Sequence, residues 1–227
     1  MAKVDHIDEA DHRVVTAAVA EAEHQTSGEI VTIVADLSDH YNDVALVWAS
    51  AASFLALCLY GIFPEFLAGI VERVSGGWEH DYSAGEYIAI ISLVLGLKWF
   101  GTWLIMRYIP LRLALTPKYV KMARVRARAI SLFKVGAEAK TVGSTGVLLY
   151  VSMKEHRAEI VADEAIARKV APEVWGDAMV ALLDRVKAGK PGEGMAEAVR
   201  QMGIVLAEHF PKGSDNPNEL SDRLIEL

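Results

Sequence analysis

The chain has 227 residues, 52% of them apolar, and a formal net charge of −7. That size holds one ordinary globular domain with something added, and the acidic balance excludes a general nucleic-acid binder, which needs a basic face. The single cysteine, Cys58, lies inside an apolar run, which excludes both a disulfide framework and a thiolate zinc site.

The first twenty residues carry Lys3, Asp5, Asp8, Glu9, Asp11 and Arg13 without an apolar stretch. No cleavable signal peptide is therefore expected, and the first apolar run serves as the insertion signal. Ile7, Ala10, Val14, Ala17 and Ala18 recur at helical spacing, predicting an amphipathic helix over Ile7–Gln25. Thr26-Ser27-Gly28 breaks it, and Glu29–Ala35 is a continuous β-branched run, a buried strand.

The acidic segment Asp36–Asp43 leads into Val44–Phe63, which has no charge, and Tyr87–Met106 has Lys98 as its only one. Each run has twenty residues, and at about 1.5 Å per residue it reaches roughly 30 Å, the thickness of a bilayer's hydrocarbon core. Core helices of a soluble protein call for shorter apolar runs. The expectation is a transmembrane hairpin with spans 44–63 and 87–106. Between Arg107 and Ala137 there are eight basic residues and no acid, whereas the loop 64–86 has Arg73 against five acids. Positive-inside logic puts that loop outside and both termini in the cytoplasm.

Beyond the hairpin, Ile109–Leu115 reads as an interfacial connection and Val120–Ala139 as a basic helix. Gly143-Ser144-Thr145-Gly146 is a turn. Val147–Ser152 is a second buried strand, and Arg157–Ala162 alternates as a third, paired with it as a β-hairpin. Asp163–Val170, Glu173–Ala188 and Gly194–His209 read as helices punctuated by Pro172 and Pro191, and the polar tail Lys212–Leu227 drapes over the surface. A strand–helix–strand unit makes the first two strands parallel, with the hairpin inside the crossover. The predicted domains are 1–43 and 107–227, together one α/β domain, interrupted by the hairpin 44–106.

Strand direction sorts candidate residues onto two edges. Thr26-Ser27-Gly28, Ser144-Thr145-Gly146 and the pair Asp163-Glu164 fall on one edge, where oxygen ligands would hold Ca²⁺ or Mg²⁺, or backbone N–H groups a phosphate. Turn and N-cap preferences account for the same residues. Asp36, Asp39, His40 and Asp43 fall on the other edge. They lack the ligand spacing and glycine of a calcium loop, and a solvated acidic loop accounts for them. Lys98 sits near mid-bilayer, where insertion costs about 2.5–3.5 kcal/mol; it either snorkels or contacts a partner subunit. Small residues on the first span, including Ala45, Ala49, Ser53 and Ala56, would permit close helix packing. No phosphate-binding loop, dinucleotide fingerprint, Gly-x-Ser-x-Gly elbow or His-Glu-x-x-His motif occurs, so no catalytic residue is assigned.

At Thr26–Ala35 (TSGEIVTIVA) and Gly146–Asp163 (GVLLYVSMKEHRAEIVAD) the chain resembles the TPM domain family. The HFP segment His209–Pro211, with Asn218-Glu219-Leu220 downstream, is similar to its bacterial membrane forms. The resemblance implies an α/β fold, a three-layer sandwich around a small mixed sheet. It also implies either an accessory or assembly role in a membrane complex or divalent-metal binding with phosphatase chemistry. By position, Asp163 and Asp36 fall where family acids bind metal; Asp163-Glu164-Ala165 stands where many members have glycines. Two functions follow as expectations. The first is a membrane-anchored accessory module whose partners are the lipid bilayer and another integral membrane protein. The second is a weak metal-dependent phosphohydrolase using Asp163 and Glu164 with metal-bound water.

Overall fold

The structure, a computed structural model, describes residues 7–75, 83–136, 145–212 and 221–227. The Gly143-Ser144 half of the predicted turn, the last residues of the predicted basic helix and Asn218-Glu219-Leu220 lie outside the described residues. The chain divides into two compact units, residues 1–39 with 118–227, and residues 40–117.

The first unit is an α/β fold with a four-stranded mixed sheet. Helix α1 (Glu9–Glu23) starts at a reciprocal cap. Asp8 accepts the Asp11 N–H at 2.8 Å, and Asp11 accepts the Asp8 N–H at 3.2 Å. Strand β1 (Glu29–Ala35) is buried throughout and pairs in parallel with β2 (Gly146–Ser152), Glu29 opposite Gly146 and Ala35 opposite Ser152. β2 pairs antiparallel with β3 (Arg157–Ala162) through a short turn in which His156 has φ 48°. The tail predicted to drape over the surface instead supplies β4 (Ile225–Glu226), parallel to β1, giving the order β3-β2-β1-β4.

Alternation along the strands gives each face its own cover. Ile30, Val34, Val147, Leu149 and Val151 form one cluster with residues of α1, α8 (Gly176–Lys187) and α9 (Pro191–His209). Val31, Ile33, Ala35, Leu148 and Tyr150 form the other with Val125, Ala129 and Phe133, a stripe at every fourth residue of α6 (Lys118–Gly136). α9 packs close to its neighbours because small residues line it. A Cβ at Gly203 would sit 2.6 Å from that of Ala22 on α1, and one at Gly194 would sit 2.8 Å from that of Arg185 on α8. The helix predicted over Asp163–Val170 is a four-residue turn, α7 (Glu164–Ala167). That over Glu173–Ala188 splits into a 3₁₀ turn, Pro172–Trp175, and α8.

The second unit contains two helices long and apolar enough to cross a membrane, α2 (Asn42–Ile62) and α4 (Ala84–Ile105). They touch through the Ser53 hydroxyl, which donates to the Leu95 carbonyl at 3.3 Å, and the Trp99 indole, which donates to Ser50 Oγ at 3.2 Å. The segment read as a plain loop holds a helix, α3 (Pro64–Ser75), and the interfacial connection is itself helical, α5 (Ile109–Leu115). α5 carries Arg112, buried, whose guanidinium donates to the carbonyl of Met106 at 2.7 Å, to Asn42 Oδ1 at 2.9 Å and to the carbonyl of His40. One side chain thereby satisfies acceptors at the end of α4 and the start of α2.

Candidate functional site

The sheet separates the predicted acids. Asp36 follows the C-terminal end of β1, whereas Asp163 is level with Gly146 at the start of β2. Seven residue steps, Glu29 to Asp36, lie between the two levels, roughly 23 Å, so no single ion touches both. The Asp36 carboxylate holds Lys154 Nζ at 2.6 Å. Around it the polar groups satisfy one another: Glu155, 6% exposed, accepts the Ser38 N–H at 2.8 Å and the Ser152 hydroxyl. Tyr150 shares a 3.0 Å bond with Ser38 Oγ, and burial raises its phenol above the ordinary value. Asp39 pairs with Arg124. These contacts fasten the loop after β1 to the β2–β3 turn, to β2 and to α6.

At the opposite edge, Asp163 is buried and closes the hairpin from both sides. Its N–H donates to the Gly146 carbonyl at 2.9 Å, and its Oδ2 accepts the Gly146 N–H at 2.8 Å. Glu164 forms an exposed pair with Arg168. Thr26 Oγ1 donates to the Phe210 carbonyl at 2.6 Å and accepts the Gly28 N–H at 3.0 Å, while Thr145 Oγ1 donates to the Ser27 carbonyl at 3.1 Å. The hydroxyls of Thr26 and Thr145 are therefore engaged in joining the β1 entry to its neighbours. Among the described residues no three His, Cys, Asp or Glu side chains gather as a metal site. Lys98 lies exposed on α4, and no partner for it exists among the described residues.

Sequence reasoning missed a carboxyl on this edge. Glu23, the last residue of α1, is 8% exposed and accepts the Ile30 N–H at 2.8 Å. Burial pushes its carboxyl up to about 8, assisted by the charges of Glu29 and Asp222, against the pull of the Ile30 bond and Lys212. Glu29 is itself 3% exposed. A carboxyl titrating near neutrality is a mark of functional and of structural sites alike. Nothing in the sequence set Glu23 apart from its neighbour Glu21; the only cue is its adjacency to Ala22, the end of the stripe Val15, Ala18, Val19, Ala22.

The third feature is the outer edge of β3, where Arg126 and Ile130 on one side and Val170, Trp175 and Met179 on the other border a groove of about 370 Å³. Glu159 lies within it, with burial raising its carboxyl and Arg126 Nη1 3.6 Å away lowering it.

A mixed four-stranded sheet with helices against both faces, joined in one chain to a pair of long apolar helices, defines an α/β protein with two candidate membrane spans. Among solved structures it is similar to the NMR structure of the BA42 protein from the psychrophilic bacterium Bizionia argentinensis sp. nov., with 17% identity, 100% of both chains covered and a TM-score of 0.56. At that identity the likeness carries the fold. No family model matches the chain. No curated protein matches it either.

Proposed function

We propose that the chain is a membrane-anchored accessory module, with α2 and α4 as a transmembrane hairpin inserted between β1 and α6. The α/β unit, a TPM-like three-layer sandwich, works on the cytoplasmic side, where it docks on or stabilises a larger inner-membrane complex. The observation that carries this is α4. None of its 22 residues is buried, and Ile88, Leu93, Leu97 and Ile105 are each more than 60% exposed. A soluble core helix is mostly covered, and apolar surface left in water costs about 25 cal/mol per Å². Lipid removes that cost. The eight basic residues from Arg107 to Lys134 support the cytoplasmic side by positive-inside logic.

The docking role is supported by Lys98. A lysine deep in a span costs about 2.5–3.5 kcal/mol, and an acidic side chain from a partner's span would offset it. Affinity purification from gently solubilised membranes at native expression tests the role. Co-purification of an integral membrane complex, weakened by Lys98→Leu, is the expected result; recovery of a lone monomer overturns it.

A further inference from the structure

β3 is an edge strand, and the ladder tells which of its backbone groups look outward. The Asp163 N–H donates to the Gly146 carbonyl. Antiparallel alternation then turns the N–H and C=O groups of Arg157, Glu159 and Val161 toward β2, and those of Ala158, Ile160 and Ala162 away from it. Among the described residues no hydrogen bond meets the outward groups. The strand is half-buried along its whole length rather than open to water. Natural sheets protect such edges with charge, proline or a covering element; here the edge floors a groove with an apolar wall at Trp175 and Met179.

We propose that this edge takes an extended segment of a partner protein, which adds to the sheet as a strand outside β3. Its apolar residues would face Trp175 and Met179, and a basic residue would face Glu159. Alternation sets the recognition rule. A guest residue opposite Ile160 shares the face of α8 and meets the apolar wall. Its neighbours, opposite Glu159 and Val161, share the face of α6 and meet the Glu159 carboxylate. The side chain of Glu159 is 26% exposed, and its pairing with Arg126 is loose, at 3.6 Å, to a guanidinium side chain 70% exposed. A cation brought in by the guest therefore improves the match. Charge also argues against a second copy as the occupant. Self-pairing centred on Ile160 would place Glu159 diagonal to its own counterpart on one face, bringing two half-buried carboxylates together. The inference deepens the accessory-module reading and rests on it for the partner, but the strand geometry stands apart from membrane insertion.

The test uses the full chain in nanodiscs of zwitterionic lipid and a labelled ten-residue peptide alternating valine and lysine, read by fluorescence anisotropy. Binding at a Kd on the order of 100 μM or tighter is expected. Methylating alternate peptide amides, which removes the ladder donors, should weaken it at least tenfold. Glu159→Lys should reverse the preference between this peptide and one alternating valine and glutamate, with circular dichroism confirming that the variant is folded. Absence of binding by every peptide, equal binding of the methylated peptide, or an unchanged charge preference in Glu159→Lys overturns the proposal. So does a dimer that the peptide competes away, which would assign the edge to a second copy. Peptide binding alongside a chain purified only as a monomer would sink the docking role in membranes while leaving strand addition standing.

Discussion

Glu23 makes the stability of the α/β unit fall as pH rises, opposite to the usual carboxylate. Its folded carboxyl titrates at about 8, against an ordinary value of 4.5. The folded chain therefore binds this proton more tightly than the unfolded chain between those two values. The stability tied to it is fully present below about 4.5 and is lost as pH rises through about 8. One unit is worth about 1.4 kcal/mol, so from pH 5 to 7.5 the undamped loss is about 3 kcal/mol. Solvent screening at a helix end reduces that to about 1–2 kcal/mol. Glu23→Gln keeps an oxygen for the Ile30 N–H and mimics the protonated state, so it should flatten this slope and be more stable than the parent at pH 7.5 by the same amount. The assay equilibrates the full chain in detergent with urea at each pH, then applies a deuterium pulse at one fixed pH and reads the β1 peptide by mass spectrometry. An equal slope in both proteins, or stability rising over that window in the parent, refutes the reasoning.

Other outcomes follow from packing and hydrogen bonding. Thr32 is 1% exposed and its hydroxyl has no partner among the described residues, so Thr32→Val should stabilise the unit by about 1 kcal/mol in the same urea assay. Gly203→Ala drives a methyl to 2.6 Å from the Ala22 Cβ and 3.2 Å from its Cα, and should cost about 1–3 kcal/mol by forcing α1 from α9; an unchanged urea midpoint contradicts that packing. Arg112→Met strands the Met106 and His40 carbonyls and should cost about 2–4 kcal/mol, seen as faster hydrogen exchange at the start of α2 and the end of α4. Lys98→Leu should improve insertion of α4 by about 3 kcal/mol in a glycosylation-mapped insertion assay.

The central strands were legible because they are continuous apolar runs buried on both faces, and the β2–β3 pairing because only Met153–His156 separates them. β4 was not, since Ile225–Glu226 is two residues long and joins the sheet through tertiary contacts: the pairing with β1, the Leu227 N–H donating to the Val34 carbonyl at 3.0 Å, and Glu226 meeting His12 at 2.5 Å. Helix α3 was hidden by Pro64, which reads as loop but suits a first helical position. Asp163 was visible as a residue on the correct edge. Its engagement by Gly146 depends on strand register, which composition does not carry. Glu23 and the β3 groove escaped for a related reason. Burial of one acid among several, and which strand ends a sheet, are decided by how α1, α6 and α8 pack.

Membrane fractionation measures the central claim most directly. Cells expressing the untagged chain at native level are lysed without detergent, and the pellet is washed with alkaline carbonate, which strips peripheral proteins. The account predicts that the intact chain stays with the bilayer until detergent is added. Release of the full-length chain into the supernatant would contradict it.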